Sequence, residues 1–266
     1  MESFNFSILE GKREGKLSMF AILQAVLALI ILGIVYMRMI KRETPEPIGR
    51  AQAIVPVVLG VASLVLSFLF TVAIGAGLLG AGIVLKDISI IPLRATLGAL
   101  LSAGLTEEVA KFIVLMVVIV IFKPKNVYEC IIAGAGVGFG FTIFEEFLYG
   151  GDGTTALSRL ITLALHFAFG VIMAKHIGMA RHNKLTGNGS VAGQYALSLI
   201  IPIILHTLFD AFVAHYPVIL NAAGDPGADL ALIVALAIVV VATVWQVVVL
   251  VRLKKDTQKY CDMAVR

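Results

Sequence analysis

Gly104-Leu105-Thr106-Glu107-Glu108-Val109-Ala110-Lys111-Phe112 places three ionisable side chains inside a segment that is otherwise uncharged from Leu97 to Phe122. A charged group at the centre of a bilayer helix costs at least about 2.5–3.5 kcal/mol on insertion scales, so such groups are rare, inward-facing and functional. Glu107 and Lys111 are four residues apart and can pair along one helical face, while Glu108 is turned about 100° from Glu107. One carboxylate is thereby compensated and the other is left for chemistry.

The surroundings of this stretch set the class. Of the 266 residues, 59% are hydrophobic and 14% charged, with a mean hydropathy of +0.99, far from the roughly 25% charged content of a soluble domain. The composition is that of an all-α, polytopic transmembrane helix bundle. The net charge of +4 fits Lys and Arg anchoring loops on one membrane side, and no nucleic-acid motif accompanies it. The two cysteines, Cys130 and Cys261, show no metal-ligand spacing and imply no disulfide framework. The charged N-terminal stretch, residues 1–16, precedes an apolar run too long for a signal-peptide core, and reads as leading into a retained anchor.

Apolar runs of about 20 residues, the length that spans about 30 Å of hydrocarbon, number seven: Leu17–Tyr36, Ala53–Val84, Leu93–Phe122, Val127–Leu148, Leu160–Ala174, Ala192–Ala214 and Leu230–Val251. Polar connections are expected at Gly150–Ser158 and His182–Gly193. About fourteen Lys and Arg fall on the side that holds the C-terminus and about six on the other, which puts the C-terminus in the cytoplasm and the N-terminus outside. This suits a multi-pass protein of a prokaryotic cell membrane. The organisation expected is an N-terminal two-helix region with its linker (1–92), a four-helix catalytic core (93–214), and a final helix with a cytoplasmic tail (215–266).

Ionisable residues concentrate in the third to sixth runs: Glu107, Glu108 and Lys111, then Glu145 and Glu146, then His166, then His206 with Asp210. Lys175, His176, His182 and His215 read as ordinary structural residues. His206 and Asp210 are one helical turn apart, so the carboxylate can orient the imidazole. Gly134, Gly136, Gly138 and Gly140 precede the acidic pair of the fourth run and would let another helix approach closely. Two His and one Glu form the ligand set of many catalytic zinc sites. His166, His206 and Glu145 are the candidate ligands, and Glu107 or Glu108 the candidate base for a metal-activated water. A metal-free arrangement, in which a Glu activates water and the histidines stabilise the oxyanion, uses the same residues. A proton-coupled transporter is the competing class, since Glu, His and Asp on neighbouring helices also build proton relays. Counted along helices from the cytoplasmic loops, His166 lies about 14 Å deep, His206 about 18 Å, Glu107 about 22 Å and Glu145 about 27 Å. Glu145 is then the outlier, needing a break or tilt in its helix.

Four short motifs lie in order on successive runs: Glu107-Glu108-Val109-Ala110-Lys111 as EExxK, Phe141-Thr142-Ile143-Phe144-Glu145 as FxxxE, Leu165-His166-Phe167, and His206-Thr207-Leu208-Phe209-Asp210 as HxxxD. Over roughly Leu93 to Val213 the chain resembles the PrsW family of intramembrane proteases, relatives of the CAAX prenyl proteases and bacteriocin-processing membrane proteases. Glu146 departs from the pattern, which usually has Asn there. Lys111 lies nearer to PrsW than to the CAAX relatives, which usually carry Arg one residue further on. The resemblance implies hydrolysis of peptide bonds in or beside the lipid bilayer, on a membrane-anchored protein substrate. Site-1 cleavage of an anti-sigma factor is the namesake bacterial activity. It also implies catalytic roles for Glu107, Glu108, Lys111 and Asp210.

Overall fold

The computed structural model describes residues 19–42, 47–149 and 163–266. The charges of residues 1–16 and the Gly150–Ser158 connection lie outside them. Among the described residues there is no strand, and seven helical runs stand where seven apolar runs were expected. We label the helices α1 (Met19–Ile40), α2 (Arg50–Gly80), α3 (Ile91–Ala99), α4 (Leu105–Phe122), α5 (Val127–Tyr149), α6 (Leu165–Thr186), α7 (Val191–Asp210), α8 (Tyr216–Ala222), α9 (Ala228–Lys255) and α10 (Thr257–Asp262). Five stretches are long and apolar enough to cross a membrane: α1, α2, α5, α7 continued through α8, and α9. The remaining two runs, α3–α4 and α6, carry the charges that lower their hydropathy: Glu107, Glu108 and Lys111 in α4, and Lys175, Arg181 and Lys184 in α6. The chain is a helical membrane bundle.

The third and sixth runs are not uniform helices. A π-helical turn at Leu100–Gly104 joins α3 to α4, and a second at Ala211–His215 joins α7 to α8. The sixth run therefore continues to Ala222, well past the expected Ala214. The connection expected at His182–Gly193 is also shorter, because α6 stays helical to Thr186. It stops where Gly187 takes φ +72°, the left-handed cap that a glycine adopts without a Cβ penalty. Ser190 then caps α7, its Oγ accepting from the Gly193 amide at 2.9 Å.

α5 is the axis of the bundle: 89% of its apolar window is buried in protein, against 17% of that of α9. The outer helices turn exposed Leu, Ile and Val side chains such as Ile233, Val240, Val241 and Val244 outward, the surface that lipid covers. Helices in lipid gain little from apolar contact alone and associate through close backbone packing, which the glycines of α5 supply. A Cβ at Gly134 would fall on the Gly170 carbonyl of α6, and one at Gly138 on the His166 carbonyl; one at Gly140 would fall on the Val57 carbonyl of α2. Alternate glycine pairs thus clamp α5 to α6 on one side and to α2 on the other.

The ends of α1, α5, α6 and α9 are tied together beside α10. The Val265 amide donates to the Lys125 carbonyl at 3.0 Å and the Val127 amide to the Met263 carbonyl at 3.0 Å. His182 Nδ1 donates to the Ala264 carbonyl at 2.7 Å, Arg42 to Thr257 Oγ1 at 3.0 Å and Tyr128 OH to the Met39 carbonyl at 2.9 Å. Cys130 and Cys261 are both buried and free.

The glycine clamp sets a test. Gly138→Ala should destabilise the protein in detergent by about 1–3 kcal/mol, the cost of overpacking. Gly75→Ala in α2, where a Cβ meets nothing within 4 Å, should match or exceed the wild type. Thermal unfolding of the two variants side by side would separate them, and equal stability would refute the clamp.

Candidate functional site

The ionisable residues reach the site from four helices, α4, α5, α6 and α7, and the helix lengths explain why they meet. Glu107 and Glu108 lie in the first turn of α4, about 21–22 Å from its Phe122 end, and His206 lies about 22 Å along α7 from Val191. His166, in the first turn of α6, lies about 30 Å from Thr186; the 14 Å expectation counted from too early an end. Glu145, about 27 Å along α5, is therefore level with its partner and not an outlier. α5 runs unbroken from Val127 to Tyr149, and close packing at Gly134 and Gly138, not a helix break, brings Glu145 Oε2 to 2.6 Å from His166 Nε2.

Lys111 is the hub. Its Nζ donates to Glu108 Oε1 at 2.9 Å and Glu107 Oε2 at 3.3 Å, and lies 2.9 Å from His166 Nδ1 and 3.7 Å from the centroid of the Phe141 ring. An ammonium only donates, so His166 Nδ1 is the acceptor. Its proton then sits on Nε2 and is donated to Glu145, so both ring nitrogens are engaged. Glu108 Oε1 also accepts from His206 Nδ1 at 2.8 Å. His206 Nε2 faces Asp210 Oδ2 at 3.4 Å and Glu107 Oε2 at 3.9 Å, as a second N–H or as a lone pair open to a cation. The imidazoles are 5.0 Å apart between centroids, and Phe169 packs against both, 6.1 Å from His166 and 5.5 Å from His206.

Burial grades the site. The side chains of Glu108 and Lys111 are sealed, at 0% and 1% exposure, whereas Glu107 keeps 16% and Asp210 25%. The site is thus closed around Glu108 and Lys111 and accessible at Glu107 and Asp210, with Glu145 at 14% also partly exposed. Glu107, Glu108, His166 and His206 each offer a ligand atom, all within 4.8 Å of one another, a donor set of two carboxylates and two imidazoles suited to a divalent ion. Glu108 Oε2 is buried without a hydrogen-bond partner among the described residues, an orphan that a cation would satisfy. The residues present fit a metal ion.

The sequence-based set is brought together almost whole. Glu107, Glu108, His166 and His206 form the cluster, while Lys111, Glu145 and Asp210 hold it. Glu146 is buried, while Glu145 is the carboxylate that meets His166. His176, bonded to Gln194, and His182, bonded to the Ala264 carbonyl, are structural. Phe141 and Phe169 pack against the cluster, contacts that the sequence reading did not assign to them. Their signal was an aromatic at the head of FxxxE and another three residues after His166.

Comparison with known proteins bears on this arrangement. Residues 50–246 match the sequence model of the family described as PrsW family intramembrane metalloprotease. The protein named "Protease PrsW" of Bacillus subtilis (strain 168) is 31% identical over 114 residues, covering 41% of this chain and 51% of that protein. The protein of the same name from Halalkalibacterium halodurans is 33% identical over 129 residues, covering 44% of this chain and 54% of that protein. The chain thus spans about half the length of the curated relatives it matches. No solved structure matches.

The hub makes a prediction independent of any activity. Lys111→Met strands a sealed carboxylate and should cost about 3–5 kcal/mol of stability. Adding Glu108→Leu should recover part of that loss. Unfolding of both variants in detergent checks it, and a double variant less stable than the single would contradict the hub.

Proposed function

We propose that this chain, which belongs to the PrsW family of intramembrane metalloproteases, hydrolyses a peptide bond of a membrane-anchored protein substrate. The observation that carries this reading is the convergence of two Glu and two His within 4.8 Å inside a helical membrane bundle. Zinc is the ion the donor set suits best; when bound, it supplies a water of pKa near 7 and polarises the scissile carbonyl. His166 and His206 would hold it with Glu108, whose second oxygen is open, and Glu145 is the further carboxylate at His166. His166 would exchange one of its present partners to do so.

The chain's own residues divide the work. Glu107, the least buried of the glutamates on α4, takes a proton from the attacking water and returns it to the leaving amine. Lys111 holds Glu108 and fixes the tautomer of His166. Glu108 orients His206 through Nδ1, which leaves Nε2 for the metal, and Asp210 stands beside that nitrogen. Phe141 and Phe169 wall the cluster and keep bulk water from its inner side, which strengthens every charge interaction there.

The Lys/Arg pattern supports a cytoplasmic C-terminus. Glu145 and His166 lie about 27–30 Å from that side, so the cut would fall toward the opposite membrane face. That position fits a first, extracytoplasmic cleavage of a membrane-spanning regulator such as an anti-sigma factor.

With a reporter transmembrane substrate in liposomes, Glu107→Gln, His166→Ala and His206→Ala should each abolish cleavage while leaving the protein membrane-integrated. Asp210→Ala should lose about 10- to 100-fold, and a chelator should abolish activity that zinc restores. Cleavage that survives chelation but not Glu107→Gln would assign the chemistry to glutamate alone. Full activity in a Glu107→Gln/Glu108→Gln double variant would refute the site.

A further inference from the structure

The π-helical turn at Leu100–Gly104 ends three residues before Glu107. A π turn adds one residue to a helix, and is often found at functional sites. One residue is about 100° of helix, the angle between Glu107 and Glu108. A one-residue change of register in this turn would exchange the places of the two adjacent carboxylates, one sealed against Lys111 and His206 and the other facing outward.

The turn is held from outside its own helix. Thr71, on α2, has one hydroxyl proton and three acceptors in reach of Oγ1: the Ser67 carbonyl of its own helix at 3.1 Å, the Ser102 carbonyl at 3.1 Å and Thr106 Oγ1 at 3.3 Å. Thr106 back-bonds to the same Ser102 carbonyl at 2.9 Å and is 1% exposed. Two hydroxyls from two helices thus meet at one carbonyl inside the π turn. On the other side, a Cβ at Gly104 would fall on Thr207 Oγ1, so α7 wedges the turn next to His206. Ser63 and Ser67, two turns and one turn before Thr71, bond carbonyls of their own helix, Gly60 at 2.6 Å and Leu64 at 2.8 Å. Of these three hydroxyls, that of Thr71 also lies within hydrogen-bond distance of another helix.

We propose that Thr71 is a positioning residue: its hydroxyl holds the Leu100–Gly104 turn in π register and thereby assigns the sealed place to Glu108 and the open place to Glu107. Its effect on cleavage rests on the function proposed above, but its effect on register does not.

The test reads register directly. Single cysteines replace Glu107 or Glu108 in a protein whose own Cys130 and Cys261 are buried, and a small water-soluble thiol reagent is applied in detergent. With Thr71 intact, Glu107→Cys should label at least about 10-fold faster than Glu108→Cys, as their burial dictates. In Thr71→Val the ratio should fall toward one, and in Thr71→Ser, which keeps the hydroxyl, it should be retained. In the otherwise native protein, Thr71→Val should lower kcat about 10- to 100-fold with KM little changed, the cost of a misplaced catalytic group, and Thr71→Ser should restore it. An unchanged labelling ratio in Thr71→Val overturns the proposal whatever happens to cleavage. Absence of cleavage in every variant, wild type included, with the ratio shifted, overturns the protease reading and leaves the register role standing.

Discussion

A single buried ammonium holds this site together. Taking an ion from water into an apolar interior costs several kcal/mol even after relaxation, and Lys111 is sealed among apolar helices with Glu108 equally sealed beside it. Neither is tolerable without the other. Their pairing fixes the first turn of α4, and through His166 and His206 it fixes the facing ends of α6 and α7. α5 joins through Glu145 and through the Phe141 ring under the ammonium. Four helices are registered by one charge network that the lipid-facing surface could not contain.

This network has a geometric prerequisite. Charged side chains reach one another over about 3 Å only if the backbones that carry them are already close, and in a bilayer that closeness has to come from small residues. Gly134 and Gly138 let α5 lie against α6, and Gly140 lets it lie against α2. The same glycines that make α5 nearly featureless in amphipathic pattern make it the buried axis. Packing and chemistry are therefore one arrangement: a wider α5–α6 spacing would separate Glu145 from His166.

Much of this was written in the chain. Charge inside an apolar run is so costly that Glu107, Glu108, Lys111, His166, His206 and Asp210 could be singled out by position alone, and the number of helical runs followed from length and hydropathy. The depth of His166 was misread because Lys175, His176, Arg181 and His182 looked like the end of a span, whereas Ile177, Gly178 and Ala180 keep that stretch of α6 buried and helical. The π turns left no mark in hydropathy, since they insert one residue without changing the composition of the run. Thr71 was silent for a similar reason. A threonine in an apolar helix usually bonds its own backbone, and only the fold shows that this one also reaches across.

The pairing of the C-terminal stretch with Lys125 and Val127 gives the bundle a mechanical asymmetry. Hydrogen bonds from Val265, Val127, His182 and Arg42 stitch together the helix ends on that side, while Glu145 and His166 lie about 27–30 Å away. The bundle is thus tied at two levels by two kinds of bond: backbone and side-chain hydrogen bonds gather the helix ends beside α10, and a carboxylate–imidazole pair gathers the same α5 and α6 at Glu145 and His166. The carboxyl-terminal stretch therefore braces from a distance the two helices whose spacing the site depends on.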